Sequence, residues 1–499
     1  MNWITNTDTI IFDAEFNESV DISLISSYAK LIFSNYKLNK ELFERYSNNN
    51  LENLKLIQSK FNQDVSNLPH SIIQIIFGSH FNQDVSAMPP FLTHLTFGHK
   101  FNKDISNLPN SIIHLTFGYE FNQDVSVLPN KITHLTFGDK FNQNVSVLPN
   151  GIIHLTFGEN FNQDVSVLPN GITHLTFGYE FNQDVSVLPP TLTHLTFDDV
   201  FNQDVSKLPQ GITHLTFGEF FNQKVSSLPQ NLTYLTFGEC FNQNVSNLPS
   251  SLTYLTFDYR FDLDVSSLPQ NLTHLTFGEC FNQNVSILPP RLIYLTFDKC
   301  FNKDVSKLPS SIKYLTFGLL FNKDVISLPY SLTHLTFGTD FNQDVISLPP
   351  MLTHLTFGNS FNQSILKLPL SLTHLTLGKN FNQQNNIPPN VKYLKLDSNN
   401  QYIINLLPNS VIELELSVNF NLEMNNLPTS IKKIVFNAGS HYNMDLNCLP
   451  DYVEELHLNC HYTKRIMHIP PNLKKLICHE DYAYKNDFVM CNVETYIKK

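Results

Sequence analysis

Residues 81–100 read FNQDVSAMPPFLTHLTFGHK, residues 101–120 FNKDISNLPNSIIHLTFGYE and residues 121–140 FNQDVSVLPNKITHLTFGDK. The period of 20 residues decides the fold, because a unit this short cannot bury a core alone and must stack on its copies. The phrase restarts at Phe61 and recurs to Phe381, 17 consecutive starts, so residues are read by position in the repeat, with Phe61 at position 1. Position 1 is always Phe, and position 17 is Phe from Phe77 to Phe357. In Leu92-Thr93-His94-Leu95-Thr96-Phe97 apolar residues at positions 15 and 17 alternate with polar ones at 14 and 16. That is a strand with Leu95 and Phe97 facing in and His94 and Thr96 facing out. Gly98, at position 18, predicts a turn or a positive φ. Pro109 removes a backbone donor and holds Leu108 extended, which argues against a regular helix in the return arc. The expected fold is a β-rich solenoid, a stack of about 20 coils with one short parallel strand per repeat and a small helical segment near the N-terminus.

Two Phe ladders, beginning with Phe61, Phe77, Phe81 and Phe97, are expected to fill the interior. Position 2 is Asn in every regular copy except at Asp262, as in Asn62 and Asn82. One Asn per coil can bond to the backbone of its own and neighbouring coils, so this ladder reads as structural. Asp at position 4 reads as a turn cap.

The array organises the chain. Residues 61–400 are regular repeats, and 401–499 are degenerate copies marked by Pro408, Pro428, Pro450 and Pro470 with a C-terminal cap. In residues 1–60, Ile10-Ile11-Phe12-Asp13-Ala14-Glu15-Phe16-Asn17 matches the LTFGxxFN phrase as a half-repeat. Apolar residues between 22 and 50, among them Ile25, Leu31, Phe33 and Leu42, have helical spacing and predict an amphipathic cap or insertion. Residues 51–60 return to a strand-like pattern at Leu51, Leu54 and Leu56.

A net charge of −12 without an Arg cluster argues against nucleic acid, which demands clustered positive charge. No apolar run is long enough to span a bilayer. The start MNWITNTDTII lacks a secretory pattern, and seven Cys without a CxxC pair suit a reducing compartment. The expectation is an intracellular monomer with no cofactor and no metal. Asp84, Ser86 and His94 suggest a triad, but each recurs as a ladder on its own arc, whereas a catalytic site needs one preorganised cluster. No enzyme is expected.

The exposed ladder at position 14 is the candidate partner-binding face: His94, His114, His134, His154, His174, His194, His214, Tyr234, Tyr254, His274, Tyr294, Tyr314, His334, His354 and His374. Strands about 4.8 Å apart should stack these rings face to face. Such stacking serves the sheet itself, or a protein partner read by an aromatic surface. Neighbouring imidazoles would repel if protonated, so depressed His pKa values are expected. Partner specificity is expected in the variable positions 7, 10, 11, 19 and 20, where Tyr119, Glu159, Tyr179 and Glu219 suit a basic or mixed partner.

The FNQ start with the LPxSLTHLTFG segment resembles the FNIP repeat family of social amoebae and giant viruses of amoebae. The Leu92-x-x-Leu95-x-Phe97 core also resembles the leucine-rich repeat. The resemblance implies a protein-protein interaction scaffold with an unidentified protein partner. FNIP proteins often carry an N-terminal F-box, which implies the alternative of a substrate receptor in host ubiquitin ligation. The F-box opens on a Leu-Pro, and here none precedes Leu68-Pro69.

Overall fold

The computed structural model describes residues 3–5, 8–21, 25–35 and 59–497. Contacts group the chain into two compact units, residues 1–243 with 247–252, and residues 244–246 with 253–499.

The first unit opens with β1 (Trp3–Thr5) antiparallel to β2 (Thr9–Phe12). β2 runs parallel to β3 (Lys30–Phe33), and β3 to β4 (Gln74–Ile76). From there one three-residue strand recurs in each coil, from His94–Thr96 (β5) to Tyr234–Thr236 (β12), every pair parallel and in 20-residue register. In the second unit the same pattern runs from Tyr254–Thr256 (β13) to His354–Thr356 (β18). It continues through β19 (His374–Leu377), β20 (Tyr393–Leu396), β21 (Glu413–Leu416) and β22 (Lys433–Phe436). β23 (Glu455–His457), β24 (Lys475–His479) and β25 (Asn492–Tyr496) complete it. A five-residue helix, α1 (Gln401–Asn405), is capped by the side chain of Asn400. The fold is thus the expected parallel β-solenoid, with turns and extended chain rather than helix in the return arcs.

β3 corrects the helical reading over residues 30–33. Leu31 and Phe33 pair with Ile10 and Phe12, occupy positions 15 and 17, and are buried while Lys30 and Ile32 are less so. An alternating four-residue strand inside a stretch of mixed apolar spacing satisfies the helical count by coincidence. The coil register also survives an insertion. Asn35 and Ser59 both sit at position 19, and the Asn35 Oδ1 accepts the backbone N–H of Ser59 at 3.0 Å and of Ser79 at 2.8 Å. Residues 25–29 form a tight turn with Ile25 buried and the Tyr28 amide donating to the Ile25 carbonyl at 3.0 Å. Residues 22–24 and 36–50 of the expected helical cap, and the strand-like pattern at Leu51, Leu54 and Leu56, lie outside the described residues.

Each coil from Phe61 to Leu377 buries six apolar side chains. In residues 121–140 these are Phe121, Val125, Leu128, Ile132, Leu135 and Phe137. The two Phe ladders interlock: Phe97 stacks on Phe101 with ring centroids 3.7 Å apart, Phe77 on Phe97 at 5.8 Å, and Phe81 on Phe101 at 6.1 Å. Offset stacking of this kind adds to the stabilisation from area burial alone.

Position 18 differs from expectation in its cause. None of its glycines has φ in the left-handed region. A Cβ on Gly138 would instead lie 2.0 Å from the carbonyl oxygen of Gly118 in the coil below, so close backbone approach excludes the side chain. That exclusion holds for the coils that carry Gly; Asp198 and Asp298 also stand at this position, exposed, each accepting the next residue's amide.

The asparagine ladder works through one atom. The Oδ1 of Asn142 accepts the backbone N–H of Asn162 at 3.0 Å and the side-chain amide of Gln163 at 3.0 Å. Asp262 serves Asn282 and Gln283 in the same way at 2.8 and 3.0 Å, which explains why Asp is tolerated: only an acceptor is required. Asn142→Ala is therefore expected to lower stability by about 1–3 kcal/mol, the cost of orphaning two donors, and Asn142→Asp by less than half as much. Urea denaturation of both variants checks this; equal losses would show that the acceptor is not what matters.

Candidate functional site

Strand register places the position-14 rings in one stripe on each unit. In the first, His94 and His114 have centroids 4.4 Å apart and planes within 8°, and the pairs from His114 to His214 lie at 4.2–4.4 Å. Tyr234 follows His214 at 5.6 Å. In the second unit, Tyr254 and His274 lie 5.6 Å apart, then Tyr294, Tyr314, His334, His354 and His374 continue at 3.9–4.4 Å. The stripe ends at Tyr393. Beyond it the same register holds Glu413, Lys433, Glu455 and Lys475, charges of alternating sign, with Lys433 paired to Glu413 at 3.0 Å.

Position 13 supplies a feature that the sequence reading missed. The Thr193 Oγ1 donates to the carbonyl oxygen of Thr173 at 3.1 Å and lies 2.9 Å from the Nδ1 of His194. The same arrangement joins Thr213 to the carbonyl of Thr193 and to His214, and Thr273 to that of Thr253 and to His274. A hydroxyl has one proton, and a carbonyl can only accept it. The ring must therefore donate from Nδ1, which leaves Nε2 as the free acceptor. The run of Thr-His dipeptides was visible in the sequence; what it does depends on the carbonyl of the preceding coil.

Burial, first, and the neighbouring imidazoles, second, hold His134, His174 and His194 below the ordinary His range. His354 is lowered to about 4 by the same causes. The depression matches the expectation, but desolvation leads and mutual repulsion follows.

The triad residues are not brought together. Asp84 accepts the amide and hydroxyl of Ser86 at 2.9 and 2.8 Å as a turn cap, while His94 is engaged by Thr93 at 2.8 Å. These turn bonds hold the Asp84 carboxyl below the usual carboxylate range. Among the described residues no cluster of three or more His, Cys, Asp or Glu is placed to hold a metal ion. Stacked rings point the same way and cannot converge on one ion. Cys240, Cys280 and Cys300 are free thiols. At position 19, Tyr119 stacks on His99 at 4.7 Å and carries the ammonium of Lys140 over its ring at 5.3 Å. No described helix is long and apolar enough to cross a membrane.

The FNIP repeat matches overlapping stretches that run from residue 61 to residue 439. The chain belongs to the FNIP repeat family. The crystal structure of CroV588, a circular leucine-rich-repeat protein, is 32% identical to this FNIP protein over the full length of both chains, with a TM-score of 0.69. The mouse RP105/MD-1 complex is similar in fold alone: 13% identity and a TM-score of 0.51, covering 99% of the FNIP chain and 96% of the other. No curated protein sequence matches. The FNIP protein is thus a repeat solenoid resembling leucine-rich-repeat proteins.

Proposed function

We propose that this FNIP protein is a non-enzymatic scaffold that binds another protein along the ring stripe of its strand face. The observation that carries this reading is the row of stacked imidazoles in which the Nδ1 atoms of His134, His174, His194 and His214 are committed to Thr hydroxyls, leaving their Nε2 atoms as acceptors along the strand face, while His114 and His154, which follow Ile113 and Ile153, stack between them. Such a row suits a partner that presents N–H donors or cations at a matching repeat. Glu159, Glu219, Glu239 and Glu279 at position 19 add the complementary sign. Folding alone does not demand a half-exposed, tautomer-fixed ring in so many coils; Tyr fills the same position at Tyr234, Tyr294 and Tyr314.

A photo-crosslinking residue at Thr156, on the strand face, and another at Lys207, on a different arc, test the reading in extract of the producing cell. The expected result is the same captured protein from position 156 only, reduced at least tenfold by His134→Lys, His154→Lys and His174→Lys together. Equal capture from both positions, or capture indifferent to the lysines, would rule the stripe out as the binding face.

A further inference from the structure

Of the seven cysteines, Cys240, Cys280 and Cys300 share position 20, and the last two belong to adjacent coils. Cys280 and Cys300 each lie in the two-residue turn that follows the strand, and both thiols are free and half-buried. The coils are held in register on either side of them. Thr276 pairs with Thr296 in the strands, and the Cys280 and Cys300 amides donate at 2.8 Å to the carbonyls of Tyr259 and Glu279, each one coil back. Strands of adjacent coils stand about 4.8 Å apart, and the Phe281 and Phe301 rings that follow the two cysteines have centroids 6.0 Å apart. Both limits fall inside the range of roughly 4.4–6.8 Å between Cα atoms that a disulfide spans. A bridge also needs the Cβ atoms to close to about 3.8 Å. That movement falls on a surface turn and not on a strand, and a bond formed at such a cost is one that thiols readily reopen.

The two sulfurs have different surroundings. Burial first, and Cys300 second, hold the Cys280 thiol above its ordinary range; Glu279 and Asp262 add to this and Arg260 opposes it. The Lys299 ammonium bridges Glu279 at 3.4 Å. Glu279 first, with the Cys300 thiolate among the lesser causes, holds that ammonium above its ordinary range. Cys300 is thus the sulfur with a cation beside its charged form, and Cys280 the one kept as the thiol.

We infer that Cys280 and Cys300 form a redox-modification site, at which a small-molecule disulfide of the glutathione class oxidises them to a reversible cross-link between their two coils. The Cys300 thiolate attacks one sulfur of the small disulfide; the S–S bond breaks, and the other half leaves as a thiolate that takes a proton from water. The Cys280 thiol then gives its proton to solvent, and its sulfur attacks the Cys300 sulfur and displaces the second small thiolate, which is protonated in turn. Two protein thiols are oxidised to one disulfide, and one small disulfide is reduced to two thiols. Excess small thiol runs the exchange backwards and restores both cysteines. The inference does not rest on the ring stripe.

The test treats the reduced full chain with oxidised glutathione, blocks the remaining thiols with an alkylating reagent and digests with trypsin. Cleavage after Lys224, Arg260, Arg291, Lys299 and Lys303 puts Cys240 in peptide 225–260, Cys280 in peptide 261–291 and Cys300 in peptide 300–303. The expected product is the last two peptides joined by a disulfide that reduced glutathione removes, while Cys240, whose next coil carries Arg260, is oxidised at least tenfold less. Serine is native at position 20 in Ser360, so serine variants keep the turn. Cys280→Ser is expected to trap glutathione on Cys300, and Cys300→Ser to leave Cys280 alkylated. The inference is overturned if Cys280 and Cys300 are both recovered alkylated, carry separate glutathiones, are oxidised no more than Cys240, or are joined only between two chains, as a dimer on a non-reducing gel.

Discussion

Phe137→Ala is expected to lower the unfolding free energy by about 3–5 kcal/mol, the range for deleting a fully packed aromatic ring. Phe137 is 2% exposed and stacks on Phe141 at 3.8 Å, Phe117 at 5.7 Å and Phe157 at 5.6 Å. Coils on both sides are fixed by backbone bonds, such as the Phe137 amide to the Thr156 carbonyl at 2.9 Å, so the cavity cannot collapse. Phe137→Leu should cost much less, because Leu377 fills the same position while fully buried. Urea denaturation compares the two; an alanine variant no weaker than the leucine variant would contradict the packing account.

Acidification should destabilise the protein through the imidazole stripe. The folded state lowers the pKa of His94, His134, His174, His194, His274, His334 and His354, chiefly by burial. A depressed imidazole binds its proton in the unfolded chain first. Its stabilisation is therefore fully present above the unfolded value near ~6.5 and is lost as pH falls toward the folded value, about 4 for His354. Partial exposure screens each contribution, so the loss between about pH 8 and pH 5 is the sum of several small losses of the same sign. Thermal denaturation at both pH values, for the native chain and for a variant with His94, His134, His174 and His194 changed to Tyr, isolates the effect. Equal losses in the two proteins would refute it.

The interior was legible because its signal is repeated: Phe61, Leu95 and Phe97 recur at fixed spacing, and only a stack gives that spacing a meaning. Asn62 and Asn82 were legible as structural for the same reason, and the tolerated Asp262 became intelligible once the bond was seen to need only Oδ1. Three features depended on contacts between coils, which no single repeat encodes. Gly98 reads as a turn residue until the carbonyl of the preceding coil is placed 2.0 Å from its missing Cβ. Thr93 reads as a spacer until it engages His94. Leu31 and Phe33 read as helical because their repeat is interrupted after Asn35.

The asparagine ladder has a direction. Each Oδ1 serves the coil that comes later in the chain, as Asn17 serves Asn62 and Asn62 serves Asn82. At this ladder a stack shortened from its C-terminal side leaves a spare Oδ1 acceptor and one shortened from its N-terminal side leaves donors, whereas at position 17 the direction reverses, the Phe137 amide donating to the Thr156 carbonyl of the later coil. Successive coils are therefore joined by bonds of both senses, a side-chain acceptor offered forward at position 2 and a backbone donor offered forward at position 17, so that either end of a shortened stack is left with unmatched groups.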